Sequence, residues 1–339
     1  MRALFWLLMS ATLVAGCRHA PPAASTHYAL HASYPLPGPG RWDLLAMDSA
    51  RGHVFVARGD RVQVMDASGH LVGTVRGTAG VHGIAIVPEL QRGYATNGKS
   101  NSVTEFDLKT LHRVRDIPVG GVSPDAIAYE PLTHRLFVFN AHSDDASVVD
   151  LSAGKEIARI KFRGNPELAE SDGHGHVFVN IESQEELASI DTTTLQVDHT
   201  WSLLNCAGPT GLALDRRTNR VFSACQNHAL VVTDASDGHQ VARVPIGDGP
   251  DGAAFDATTR TIFVPGGKSG TLTVIREDEP DKYRVTQTVS TEPSARTIAL
   301  DPASHRLYLP AARFGPQPDD PSQRPPLVEG SFHILVVVW

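Results

Sequence analysis

Apolar residues in this chain come in short runs, and Gly, Pro, Asn and Asp break the runs about every ten residues. Gly93-Tyr94-Ala95-Thr96-Asn97 gives way to Ser102-Val103-Thr104-Glu105-Phe106-Asp107. Asp116-Ile117-Pro118-Val119-Gly120 and Pro124-Asp125-Ala126-Ile127-Ala128-Tyr129 follow. Runs this short, bounded by turn residues, predict strands rather than helices.

The pattern also repeats. Leu44-Leu45-Ala46-Met47-Asp48, Gly83-Ile84-Ala85-Ile86 and Ala126-Ile127-Ala128-Tyr129 are three copies of one strand. Gly211-Leu212-Ala213-Leu214-Asp215, Gly252-Ala253-Ala254-Phe255-Asp256 and Thr297-Ile298-Ala299-Leu300-Asp301 are three more, and Leu168-Ala169-Glu170-Ser171-Asp172 is a degenerate seventh. Anchors at 46, 85, 128, 170, 213, 254 and 299 lie 39 to 45 residues apart. A second strand keeps step with them, as in Val54-Phe55-Val56, Leu136-Phe137-Val138 and Ile262-Phe263-Val264. A period of this length marks a repeat architecture. Four strands per period, seven times over, predict an all-β chain folded as a seven-bladed propeller. The small anchors suit the innermost strand, where blades converge. An open solenoid would need capping segments, and none is visible.

The last copy supplies only three strands before the chain stops. Residues 28–38 read as the missing fourth, so the N-terminus is expected to complete the seventh blade and close the ring, with the propeller spanning residues 28–339. Residues 314–330 interrupt that blade with Pro316, Pro318, Pro321, Pro325 and Pro326. Such a segment cannot join a sheet and reads as a surface loop, or as a lid over one face.

Tyr94-Ala95-Thr96-Asn97, Ser102-Val103-Thr104 and Asp116-Ile117-Pro118-Val119-Gly120 resemble the YVTN-type 40-residue repeat, with Ala in place of the motif's Val. The resemblance covers about residues 28–339. It implies an exported seven-bladed propeller and says little about activity, because one fold hosts many functions.

The N-terminus carries an address. Arg2 precedes a twelve-residue, mostly apolar run, too short for the roughly 20 helical residues a membrane span needs. Leu13-Val14-Ala15-Gly16-Cys17 follows and resembles a bacterial lipobox. That resemblance implies a lipoprotein signal peptide over residues 1–16, lipid on Cys17 and a tether over residues 17–27. Arg18, where Gram-negative lipoproteins kept in the inner membrane carry Asp, favours the periplasmic face of the outer membrane.

The 339 residues carry a net charge of −7, so a general nucleic-acid partner is not expected. Of three cysteines, Cys17 is assigned to lipid. Cys206 and Cys225 fall at the open end of one hairpin, where an oxidising compartment would bridge them. Gly173-His174-Gly175-His176 looks like a metal tract, but His53, His134 and His305 occupy nearly the same turn of other blades, so these are expected to be solvated turn residues. No Gly-x-Ser-x-Gly elbow, phosphate loop or dinucleotide fingerprint occurs.

One constellation is positional. Three residues before the anchors stand Asp43, His82, Asp125, Glu167, Thr210, Asp251 and Arg296. In a propeller they would ring one mouth of the channel, with Asn97, Asn140 and Asn180 leaving their strands towards the same face. His82, Asp125, Glu167 and Asp251 could hold a divalent cation, whereas Arg296, Lys99 and Lys268 could take an anion. A polar cap that merely keeps the mouth solvated explains the same residues.

The expected function is that of a non-catalytic, monomeric binding or scaffold module, held at the envelope membrane by lipid, with an unassigned protein or small-molecule ligand. A metal-assisted lactonase or esterase is the alternative, because propeller lactonases are similar in fold, although their ligand motif does not map onto these residues. A DNA-binding propeller is a third, and the negative charge opposes it.

Overall fold

The computed structural model describes residues 27–320 and 322–339. The signal segment, Cys17 and the tether up to residue 26 lie outside the described residues.

Seven four-stranded antiparallel sheets follow one another along the chain. Blade 1 comprises Leu45–Asp48, His53–Arg58, Arg61–Asp66 and Leu71–Arg76. The first strands of blades 2 to 6 are Val81–Val87, Pro124–Glu130, Pro166–Ser171, Pro209–Asp215 and Ala254–Asp256. Blade 7 joins Ala299–Asp301, Arg306–Ala311 and His333–Val338 to Ala29–Pro35 from the other end of the chain. Ala29 pairs with Val338 and Pro35 with His333, so the ring is closed as the pattern predicts.

The second strands read as continuous apolar runs because both their faces are covered. Val54, Phe55, Val56 and Ala57 are all fully buried. The outermost strands alternate instead, as in Lys155–Lys161, where one face meets solvent. Seven apolar clusters hold the disc together, one at each interface between adjacent blades. Phe55 meets Phe106 between blades 1 and 2, and Phe222 meets Phe255 between blades 5 and 6. Near the axis the strands come so close that a Cβ on Gly211 would lie 2.6 Å from the Gly252 carbonyl carbon.

Each first strand runs from one face of the disc, the rim face, to the other, the turn face. Hairpins on the turn face are capped by the acid that ends a strand. Asp215 Oδ1 accepts from the Arg217 N–H and Oδ2 from the Thr218 hydroxyl. The turn residue with positive φ is Gly52 in blade 1, His134 in blade 3, Asn219 in blade 5, Arg260 in blade 6 and His305 in blade 7. Two of the many histidines are therefore turn residues. His174 is exposed on the corresponding turn of blade 4.

The proline-rich insertion lies on the rim face between the second and third strands of blade 7. Phe314 bridges to Leu327, the Gly315 N–H donates to the Pro326 carbonyl, and the Phe314 ring stacks on Trp42 at 5.7 Å. Its base is thus fastened beside Asp43, which follows Trp42 in the chain.

Candidate functional site at the propeller axis

A β-bulge makes the rim. In blade 2 the register steps from Val81↔Asn97 to Ile84↔Ala95, and in blade 3 from Pro124↔Asn140 to Ile127↔Val138. Blades 4 and 5 shift at the same place. A bulge frees a residue from the ladder and re-aims its side chain, and the freed positions include His82, Asp125, Glu167 and Thr210. In blades 1, 6 and 7 the strand begins later, so Asp43, Asp251 and Arg296 sit on the segments leading in. Backbone bonds tie neighbouring blades here, from Leu44 N–H to the His82 carbonyl and from Asp251 N–H to the Arg296 carbonyl.

The charged members converge. His82 Nδ1 lies 2.6 Å from Asp43 Oδ2 and 3.8 Å from Asp125 Oδ1. The Arg296 guanidinium donates to Asp251 Oδ2 at 2.6 Å and reaches within 3.7 Å of Asp43 Oδ1. Glu167 is buried among acids, with Asp125, Asp251, Glu182 and Asp43 acting on it. Thr210 is buried and donates to the Pro250 carbonyl at 2.9 Å, beside Asp251 in the chain.

The asparagines do not join this ring. Asn97 Nδ2 donates to the Ser102 and Thr104 hydroxyls within blade 2, and Asn140 Nδ2 to Asp145 Oδ1 and the Ser147 hydroxyl within blade 3. Asn180 donates to the Gly211 carbonyl and accepts from Ser223 Oγ, across to blade 5. Each is fully buried or nearly so. Asn97 and Asn140 end their strands and are held within their own sheets, and Asn180, one place before its strand's end, is held against the next blade, so none of the three lies over the axis. Lys99 and Lys268 are exposed on the rim face, Lys268 lying 3.7 Å from Asp248.

Crowding shows in the acidities. Burial pushes Asp251 up to about 7, against the pull of Arg296 and with the help of Asp43. Burial, with Asp43 adding to it, also raises Asp125, and burial with the surrounding acids raises Glu167. The bond to Asp43 raises His82. Burial works to lower Arg296, but Asp251 and Asp43 hold it above its ordinary value.

The pH dependence follows. A carboxyl raised above its unfolded value of about 4 keeps its proton in the fold after the unfolded chain has released it. That contribution is complete below about pH 4 and is lost as pH rises through the folded value, about 7 for Asp251. His82, also raised, acts in the same sense, stabilising below its unfolded pKa and losing this as pH rises. The melting temperature is therefore expected to fall between about pH 5 and about pH 8, and Glu167→Gln to flatten the slope. A melting temperature that climbs over that interval would contradict the crowding.

Cys206 and Cys225 are bonded in the structure, with Cα atoms 5.2 Å apart, and both are buried between blades 4 and 5. His176 sits between two acids, 3.4 Å from Asp172 and 3.5 Å from Asp198, on the outer flank of blade 4.

A second axial feature is absent from the sequence reading. On the turn-face side of the charged ring the channel opens into a cavity of about 890 Å³ walled mainly by apolar residues. Leu45, Ile127 and Ile298 line it, then Met47, Phe255 and Leu300. The signal was present in the small anchors. They hold back the channel wall as well as letting blades approach, and which effect wins depends on the radius of the closed ring.

No family model matches the chain, and no curated protein matches it. Solved structures do. A chain of hydrazine synthase from Kuenenia stuttgartiensis superimposes with a TM-score of 0.70 at 16% identity, covering 82% of this chain and 94% of that one. A chain of a mitotic checkpoint complex gives 0.74 at 14% identity, covering 90% and 96%. At such identities the likeness establishes the seven-bladed fold and nothing of the chemistry.

Proposed function

We propose that this chain is a non-catalytic binding or scaffold propeller of the YVTN type. It is a monomer, held by lipid on Cys17 at the periplasmic face of the outer membrane, and it recognises its ligand at the axis. The observation that carries this is the acid crowding at the rim. Geometry makes the seven positions equivalent, and a solvated cap could use any neutral polar residue there. The chain instead places Asp43, Asp125, Glu167 and Asp251 close together and raises the pKa of three of them. Carboxyl pKa values raised in a cleft cost stability near neutral pH and mark functional positions. His82 and Arg296 are held between these acids by short bonds, which fixes a pattern of both signs for a partner to read.

Anchoring is tested separately. Stable attachment to a membrane takes more than one acyl chain, as the lipobox chemistry supplies. Cys17→Ala is expected to abolish labelling by radioactive fatty acid and to release the protein from the membrane fraction. Labelling that persists would refute the lipid anchor.

One observation favours the metal-assisted hydrolase as a second reading. Asp43, His82 and Asp125 can each offer one ligand atom, and these atoms lie within 4.8 Å of one another. A divalent ion there would relieve the crowding and stabilise the fold by mass action, by about 2.7 kcal/mol at a hundredfold excess over its dissociation constant. The melting series at about pH 8 is then expected to rise with Ca²⁺, Mg²⁺, Mn²⁺ or Zn²⁺, and Asp125→Ala with Glu167→Ala to remove the rise. A flat response to all four ions removes the hydrolase reading and leaves the binding one.

A further inference from the structure

The cavity on the turn-face side of the axis is as distinctive as the charged ring. None of the charged rim residues lines it. Its wall is built from the anchor positions Ala46, Ala85, Ala128, Ala213, Ala254 and Ala299 and the larger apolar residues beside them. Many of those larger residues, such as Leu45, Met47, Ile127, Phe255 and Leu300, are only half-buried although they belong to innermost strands, as is Ile298 just before one. They face the open channel. About 890 Å³ is the size of a pocket for a small molecule, and its lining joins apolar side chains to a few polar groups, as such pockets do.

The turn face around the mouth is not uniform. Leu90 and Leu132, on the turns of blades 2 and 3 outside the cavity lining, are among the exposed large apolar residues, Leu132 at 61%. Further round the ring, the turn of blade 5 brings Arg216 and Arg217 to the cavity. Arg216 Nε donates to the Ser171 carbonyl and Nη2 to Glu170 Oε2 at 3.2 Å, which fixes the guanidinium and balances the acid that lines the wall. Arg217 is well exposed, and its nearest acid, Asp215, lies 3.8 Å away and is already engaged by its own turn. The other lining acid, Asp256, bonds its turn and His305. The lip thus offers guanidinium donors, the groups best shaped for a carboxylate or phosphate, beside an apolar well. The register of the closing strand adds orientation. Ala29 pairs with Val338, at the end of a third strand, so the chain enters the propeller from the same face as the cavity mouth.

We propose that this cavity binds a single-chain anionic amphiphile, with its tail along the apolar channel and its head group held by Arg216 and Arg217. The site goes beyond the axial recognition proposed above and does not depend on the lipid anchor. Loss of anchoring would leave it intact, and its own failure would leave the charged rim untouched.

The test uses the full chain carrying Cys17→Ser, which has no lipid of its own, and cis-parinaric acid, a fluorescent long-chain carboxylate. Saturable binding with one site per chain is expected. Met47→Trp with Leu300→Trp, which fills the channel, should weaken it at least tenfold. Arg216→Glu with Arg217→Glu should weaken the acid at least fivefold and change binding of its uncharged methyl ester less than twofold. Arg217→Glu alone, at a side chain that is well exposed, keeps the test readable where the double reversal disturbs Glu170. Absence of saturable binding to the parent chain would overturn the proposal. So would unchanged affinity in a folded channel-filled variant, or in the charge-reversed chain.

Discussion

A chain that begins at Arg41 is expected to be insoluble, or to melt of order 10 °C below one that begins at His27. The truncation removes Ala29–Pro35 and uncovers the edge of His333–Val338, whose middle residues are buried and apolar. An exposed edge of that kind pairs with other chains. Tyr28 is lost as well, with its ring 5.0 Å from Phe263 in the blade 6–7 interface, and so is Leu36, fully buried in the blade 7–1 interface. Each such side chain contributes roughly 1.5–3 kcal/mol. A further cost falls on Arg58, which is fully buried over the Phe332 ring and donates to the Gly38 carbonyl at 2.5 Å. Without that acceptor its guanidinium loses a partner, at about 1–3 kcal/mol. The total, about 5 kcal/mol or more, is comparable to the whole stability of many domains. Equal melting temperatures for the two chains, both exported behind one exchanged signal peptide, would contradict closure by this strand.

Loss of the Cys206–Cys225 bond is the second large effect. The bond spans a sequence separation of 19. Closing a loop of that size removes denatured-state entropy worth about 3 kcal/mol on the chain-entropy view. The sulfurs lie among Leu203, Leu212, Ala229 and Val231, so the bond also fastens the lead-in of blade 5's first strand to the end of its second. Cys206→Ala with Cys225→Ala is expected to lower the unfolding free energy by about 3 kcal/mol, read from denaturant curves whose slope rises as the denatured chain loses its cross-link. Peptide mapping without reductant should recover the linked pair from periplasmic protein. Two thiols titrating in guanidinium without reductant would contradict the bond.

The repeat made the blades legible because each strand type has its own burial. Second strands, covered on both faces, read as Val54-Phe55-Val56. Outer strands alternate, and turns announce themselves by an Asp followed by small or polar residues. The degenerate copy at 168–172 still forms a first strand, Pro166–Ser171, because its neighbours supply the packing it lacks. The rim was legible for the same reason, since a residue three places before each anchor lands at one height on the axis. What the pattern did not carry is the direction of each side chain. Asn97 and Asn140 end their strands at the rim, yet bonds within their own sheets hold them, and Asn180 beside its strand's end is held across to blade 5. The bulges that aim His82, Asp125 and Glu167 inward leave no mark in composition. The cavity was hidden because one alanine row serves two ends, close approach between blades and a withdrawn wall. Only the closed ring shows that both apply.

Whether recognition occurs at the axis can be decided in the living envelope. A photocrosslinking residue placed in turn at Asp125, Leu300 and Arg217, and at Val114 and Ile157 on exposed outer strands, samples both surfaces. Recognition at the axis predicts light-dependent adducts at one or more of the three axial positions, detected by mass spectrometry of the purified chain, and none at Val114 or Ile157. Adducts confined to the two outer positions would contradict it.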